Sequence, residues 1–280
     1  MTIALLIVLV LLILNPEIAS NSVLDSSKLW LNTLVPVLLP TMIIIDFLSN
    51  SKIIDYLSLL LYPLFNFIFK INYVKSSSLI ILSIISGAPS STKAINNAVV
   101  NGDIDEYEAN RLIYSFSFLS IAYTIFILNR FSINYSLIIS LTIISSIIIM
   151  KITYKKEKAI NKKVKRTYLK PLDVFYSSIT KNLNILFTIL GIMICFNTIL
   201  TLFLKYDVLY PFFETLTGHK ILFDLNINKK LKDFILVFSL IFLGLSLHFQ
   251  ILYIYDRFKY IKFLIIKIIQ ALFVSWFLLI

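Results

Sequence analysis

Ser86-Gly87-Ala88-Pro89-Ser90-Ser91-Thr92-Lys93 cuts through a hydrophobic segment that otherwise runs from residue 76 to residue 100. Gly87 reaches backbone conformations closed to other residues. Pro89 removes a donor and fixes φ. Together they predict that one helix stops here and another starts within a few residues. Inside lipid such a break is costly, because an unpaired N–H or C=O finds no water. It is tolerated where protein covers it or where it lines a cavity. The freed N–H groups and the hydroxyls of Ser86, Ser90, Ser91 and Thr92 therefore read as a cradle for a polar solute. Lys93 adds positive charge near a helix N-terminus, which already favours anions, so the expected ligand is a small acidic molecule. The alternative is a loop between two short helices that binds nothing.

The class of the chain follows from what surrounds that stretch. Of 280 residues, 59% are hydrophobic and only 15% are charged, and the mean hydropathy is +0.89. Soluble domains carry roughly a quarter charged residues. The apolar residues gather into runs of about 18 or more, enough to cross a bilayer as helices. Expected segments are 2–19, 29–48, 111–128, 133–150, 179–204, 234–255 and 263–280, with 53–69 as a short or interfacial helix. The first of these lacks a basic start and a clear cleavage site, so it reads as a retained span. The stretch 20–28 reads as a polar connection after it. Abundant Ile, Lys, Asn and Tyr suggest an AT-rich genome and hence a bacterial cell membrane.

The net charge is +11, and nine Lys or Arg residues fall between Lys151 and Lys170. Such a run between spans marks the cytoplasmic side and attracts anionic lipid. No aromatic platform or nucleic-acid motif accompanies it, so nucleic acid is not an expected partner. The lone Cys195 allows neither an internal disulfide nor a cysteine cluster for zinc. There is no P-loop, no His-Glu-x-x-His and no Gly-x-Ser-x-Gly. Neither an enzyme nor a cofactor is expected, and transport would not use ATP.

A second polar interruption, Gly244-Leu245-Ser246-Leu247-His248-Phe249-Gln250, lies in the apolar run 234–255. The alternate spacing of Ser246, His248 and Gln250 suits extended or broken backbone, and polar residues at membrane depth face cavities or partner helices. Tyr210-Pro211-Phe212-Phe213-Glu214 parallels Tyr62-Pro63-Leu64-Phe65-Asn66, which would pair the 86–93 break with 244–250. With the linker anchored in the cytoplasm, the two halves run in opposite directions. Inverted repeats with broken helices are a common transporter plan. The organisation is then an N-terminal span 1–27, a first repeat 28–150, a linker 151–172 and a second repeat 173–280. Glu214 could pair with Lys93 across the repeat axis. Asp46 is expected to snorkel to the interface, and Asp103, Asp105, Glu106 and Glu108 to form a solvated turn. Ser117 and Ser120 are candidates to line the same cavity.

These motifs resemble the YlbJ family of sporulation integral membrane proteins, within the group carrying the nucleoside-transporter/FeoB GTPase Gate domain. Residues 86–93 are similar to its Ser-Gly-Tyr/Phe-Pro-x-Gly-Ala-Lys motif. Glu108-Ala109-Asn110-Arg111-Leu112 matches its Glu-Ala-x-Arg-Leu element. Glu214 with Gly218 matches a Glu-x-x-x-Gly element, and 244–250 matches Gly-Leu-Ser-x-His-x-Gln. The resemblance spans about residues 28–280. Ala88, Ser91 and Thr92 depart from the first motif, and Phe118, Leu119, Ile121 and Ala122 replace a polar, proline-bearing stretch. The resemblance implies an all-α polytopic fold with two re-entrant hairpins, similar to concentrative nucleoside transporters. It implies a secondary transporter or permease for a dipicolinate-like or nucleoside-like solute, with a coupling ion of unknown identity. The alternative within the group is a non-transporting membrane protein acting in assembly or spore maturation.

Overall fold

A computed structural model describes residues 9–155, 170–204 and 206–278, and these are helical without any strand. Most of the basic linker therefore lies outside the described residues, as does the start of the first expected span. Six helices among the described residues are long and apolar enough to cross a bilayer: Pro16–Leu48, Lys52–Phe69, Glu106–Arg130, Tyr135–Ile152, Pro171–Phe203 and Lys229–Ile254. The chain is an all-α, multi-pass membrane protein.

A helical stretch at 9–14 leads into α1 (Pro16–Leu29), which passes through a π-helical turn at Trp30–Leu34 into α2 (Val35–Ser49). The expected polar connection at 20–28 is thus helix. Two of its hydroxyl residues, Ser22 and Ser26, are buried against protein. Next come α3 (Lys52–Phe69), α4 (Val74–Ser86), α5 (Ser90–Val100), α6 (Glu106–Phe116), α7 (Ile121–Arg130) and α8 (Tyr135–Ile152). The second half holds α9 (Pro171–Phe203), the short α10 (Tyr210–Phe213), α11 (Thr215–Asp224), α12 (Lys229–Phe242), α13 (Gly244–Ile254) and α14 (Tyr260–Trp276).

The outside of the protein is apolar and the inside is partly polar. On α3, Ile53, Tyr56, Leu60, Leu64 and Phe67 recur at helical spacing and are exposed, whereas Ile54 and Ser58 on the other face are buried. On α4, Ser76, Ser77, Ser78, Ser83 and Ser86 are all buried. Small hydroxyl residues let helices approach closely without lipid between them. The residues expected as a short interfacial helix thus form an 18-residue helix that passes the span criterion.

Helix α9 packs along α1 and α2. Leu38, Met42, Leu186, Ile189 and Met193 form a separate apolar cluster there, and the Trp30 indole donates to the Leu186 carbonyl at 2.9 Å. The larger core joins the remaining helices.

Arg111 ties three helix ends together. Its guanidinium donates to the Lys70 carbonyl after α3 (2.9 Å) and to the Met150 carbonyl near the end of α8 (2.8 Å). It also pairs with Glu108 at 2.6 Å. A cation at helix C-termini is favourable. Glu108 is fully buried and also accepts from the Asn72 N–H and the Ser76 hydroxyl. The expectation of a solvated Glu108 is corrected here. Arg111, one turn along the same helix, pulls the carboxylate inward.

Candidate solute-binding site

The first break forms as its sequence dictates. Gly87 ends α4 with φ +66°, its N–H donating to the Ser83 carbonyl at 3.0 Å. After Ala88 and Pro89, α5 begins at Ser90. This turn rests on a second break. The expected single span 111–128 is two helices, because residues 117–120 are not helical. The Ala88 N–H donates to the Phe118 carbonyl at 2.8 Å. A Cβ on Gly87 would lie 2.2 Å from the Ser120 nitrogen, so only glycine permits this approach.

No Gly or Pro marks the second break, yet its backbone groups are satisfied. Ser120 caps α7, accepting from the Tyr123 N–H at 3.3 Å. The Ser146 hydroxyl donates to the Ser115 carbonyl at 2.6 Å. The Ser117 carbonyl accepts from the Lys267 ammonium. Irregular backbone at membrane depth persists only with such partners.

The second half also carries a turn that rests on a break. Glu214 separates α10 from α11 and caps the latter, accepting from the Thr217 N–H at 2.6 Å and the Leu216 N–H at 3.4 Å. A carboxylate at a helix N-terminus is doubly favourable, by hydrogen bonding and by the dipole. The turn rests on the break between α12 and α13, where Leu243 is left-handed at φ +81°. The Thr215 hydroxyl donates to the Leu243 carbonyl at 2.6 Å. A Cβ on Gly244 would lie 2.6 Å from the Thr215 oxygen.

Residues 244–250 are therefore helical, against the expectation of extended or broken backbone through them. The break falls just before, at Leu243. Ser246 and Gln250, four apart, share a helix face, and the Gln250 amide donates to the Ser246 hydroxyl at 3.4 Å.

Both turns, the 117–120 break and the face of α13 bearing Leu247 and Gln250 border one cavity of about 270 Å³. Its polar lining comes from Thr33, Ser86, Ser120, Tyr123, Glu214 and Gln250, and its apolar lining includes Ala88, Pro89, Phe126 and Leu247. Of the residues expected at the site, Ser86, Pro89, Glu214 and Gln250 meet here. Gly87 makes the close approach behind them. Ser90, Ser91 and Thr92 are buried in the first turn of α5 and do not line the cavity, and the hydroxyls of Ser90 and Thr92 have no hydrogen-bond partner among the described residues. Ser246 is buried beneath Gln250. His248 lies among Phe242, Tyr260 and Phe263, its Nε2 bonded to the Phe242 carbonyl at 2.7 Å. Among the sequence candidates on α6 and α7, Ser120 lines the cavity and Ser117 instead contributes its carbonyl to Lys267.

No family model, no curated protein and no solved structure matches this chain.

The expected Lys93–Glu214 pair does not form. The Lys93 ammonium donates to both Asp46 oxygens, at 2.7 and 2.6 Å, and to the Asn182 Oδ1 at 2.5 Å. Asp46 also accepts from the Ser178 hydroxyl at 2.5 Å and the Asn182 amide at 3.1 Å. Asp46 is thus buried between α2, α5 and α9 rather than snorkelling, because a buried ammonium and two amide or hydroxyl donors await it there. Sequence reasoning also passed over Tyr123 and His219. The His219 Nδ1 bonds the Tyr123 hydroxyl at 3.1 Å, and its Nε2 bonds the Ser239 oxygen at 2.8 Å. Ser239 donates to the Leu236 carbonyl, so Nε2 carries the proton and Nδ1 accepts from Tyr123. That chain fixes where the Tyr123 ring stands in the cavity wall.

Proposed function

We propose that this protein is a secondary transporter or permease for a small organic solute, bound in the cavity bordered by Ser86, Ser120, Tyr123, Glu214 and Gln250. The observation that carries this reading is the meeting of three helix interruptions, at 87–89, 117–120 and 214, around one cavity of a multi-pass bundle. Interrupted helices near the midplane are how many transporters present backbone polar groups to substrates. At about 270 Å³ the cavity is slightly smaller than ordinary small-molecule sites, which run from about 300 to 1,000 Å³. Its walls combine apolar surface with a few fixed polar groups, as such sites do.

The two halves read as an inverted repeat in a new register. Helix, turn at 87–89, helix, then a helix broken at 117–120 corresponds to helix, turn at 214, helix, then a helix broken at Leu243. Each turn would be the tip of a re-entrant hairpin. This register supports the likeness to the Gate-domain group without the 86–93 to 244–250 pairing.

The solute class shifts with the position of Lys93. The case for an anion rested on a free ammonium at the tip, and Asp46 neutralises that ammonium. The cavity instead carries one carboxylate and no basic side chain in its lining. A neutral, hydrogen-bonding solute of nucleoside size fits this chemistry better than a dicarboxylate. Uptake of labelled uridine, adenosine, succinate and dipicolinate into proteoliposomes tests the proposal. The expected result is nucleoside flux that falls at least tenfold in Glu214→Gln and Gln250→Ala, with little dicarboxylate flux. Flux of none of the four solutes would favour the assembly or maturation role.

A further inference from the structure

Lys267 on α14 is fully buried, yet its ammonium meets no carboxylate among the described residues. The other buried cations have one: Lys93 has Asp46 and Arg111 has Glu108. Lys267 donates instead to the Ser117 carbonyl, at the point where α6 ends, and to the Gln270 Oε1 at 2.9 Å. An intramembrane cation without a counter-ion is costly and marks function by default.

The surroundings of the ammonium are organised to receive positive charge. The C-terminal end of α6 carries the negative pole of its helix dipole. The Gln270 amide donates to Ser145 at 3.0 Å and to Ser146 at 3.3 Å, which turns its oxygen toward Lys267. Ser146 in turn donates to the Ser115 carbonyl. Carbonyls at the C-terminal ends of broken helices are the groups that coordinate free coupling cations in transporters of discontinuous helices.

We propose that the Lys267 ammonium is a resident cation of this broken-helix site, attached to the chain, so that the site does not recruit sodium from solution. The inference rests on the transport reading for its consequence, which is solute movement independent of a sodium gradient. Its structural content is separate: the carbonyl end of α6 is a monovalent-cation site that a side chain fills.

The test uses the full-length protein purified in detergent and reads thermal unfolding midpoints, with no solute required. Sodium chloride is compared with choline chloride at equal ionic strength, for wild type, Lys267→Ala and Lys267→Met. Wild type should unfold at the same midpoint in both salts. Lys267→Ala should unfold lower in choline and recover by several degrees when sodium or propylammonium is added. Lys267→Met, which fills the space without charge, should unfold lower and gain nothing from either cation. A wild-type midpoint that rises in sodium would overturn the proposal, as would a Lys267→Ala midpoint that no cation raises. Should Lys267→Ala fail to fold, the wild-type comparison and Lys267→Met decide. A Met variant as stable as wild type would mean that Lys267 only fills space. Failure here leaves uridine flux unaffected as a separate question, and absence of flux leaves the midpoint result standing.

Discussion

Replacing Lys93 by Met removes the ammonium from a buried pair and leaves Asp46 without its cation. Both residues are almost covered, at 6% and 8% exposure. Removing one member of a buried ion pair costs about 3–5 kcal/mol, because the remaining charge stays desolvated. Asp46 keeps the Ser178 and Asn182 donors, which places Lys93→Met near the lower end, at about 3 kcal/mol. Asp46→Leu leaves the ammonium with the single Asn182 oxygen and belongs near the upper end, at about 5 kcal/mol. Replacing both with apolar residues of similar volume is often neutral, so the double variant should recover to within about 2 kcal/mol of wild type. The assay is thermal or denaturant unfolding in detergent, followed by circular dichroism, alongside uridine uptake in proteoliposomes. A binding role for Lys93 predicts something different: the double variant would fold and still not transport. Additive losses in the two single variants, or a folded double variant without flux, would refute the assignment of Lys93 to an internal pair.

Other consequences are simpler. Gly87→Ala combines a positive-φ, extended-ψ conformation open essentially to glycine alone, costing about 1–3 kcal/mol, with an overlap against the Ser120 backbone that adds about 1–3 kcal/mol. Its unfolding midpoint should drop clearly and its flux with it. Gly244→Ala should be milder, since its closest neighbour is the movable Thr215 side chain. Arg111→Met strands a buried Glu108 and the Lys70 and Met150 carbonyls, a loss of about 3–5 kcal/mol. Low membrane yield and rapid proteolysis would report it, and Lys at the same position should rescue poorly because it cannot span both carbonyls.

How far the fold can be read from the residues differs from place to place. The break at 87–89 was legible because Gly and Pro carry their conformations with them. The break at 117–120 was not, because Ser117, Phe118, Leu119 and Ser120 have no local reason to leave a helix. Their backbone is held open from outside, by Ala88 on the Phe118 carbonyl and Lys267 on the Ser117 carbonyl. Leu243 is equally silent in sequence, and its left-handed turn depends on Thr215, which is 28 residues away. That is why the expectation of broken backbone through 244–250 missed the break at Leu243, just before that run. Charged residues misled in the same way. Asp46 looked like a helix-end residue free to reach water, and Glu108 like part of an acidic turn. Their burial follows from Lys93 and Arg111, whose positions only the packed helices fix. Lys267 was visible as a lone cation in the apolar run 263–280, but its acceptor lies 150 residues away.

The transport reading stands on one piece of geometry, the cavity that the 86–89 turn and the face of α13 bearing Gln250 both border. Its most direct test is cross-linking of Ser86→Cys with Gln250→Cys in native membranes. The exposed Cys195 is first replaced by Ser, and a short bifunctional thiol reagent is applied. Mass spectrometry of the digest should find the 86–250 peptide pair in high yield. Leu60→Cys with Gln250→Cys, with one partner on the outward face of α3, should give none. An absent 86–250 product, with both cysteines shown to react singly, would contradict the cavity and the transport reading built on it.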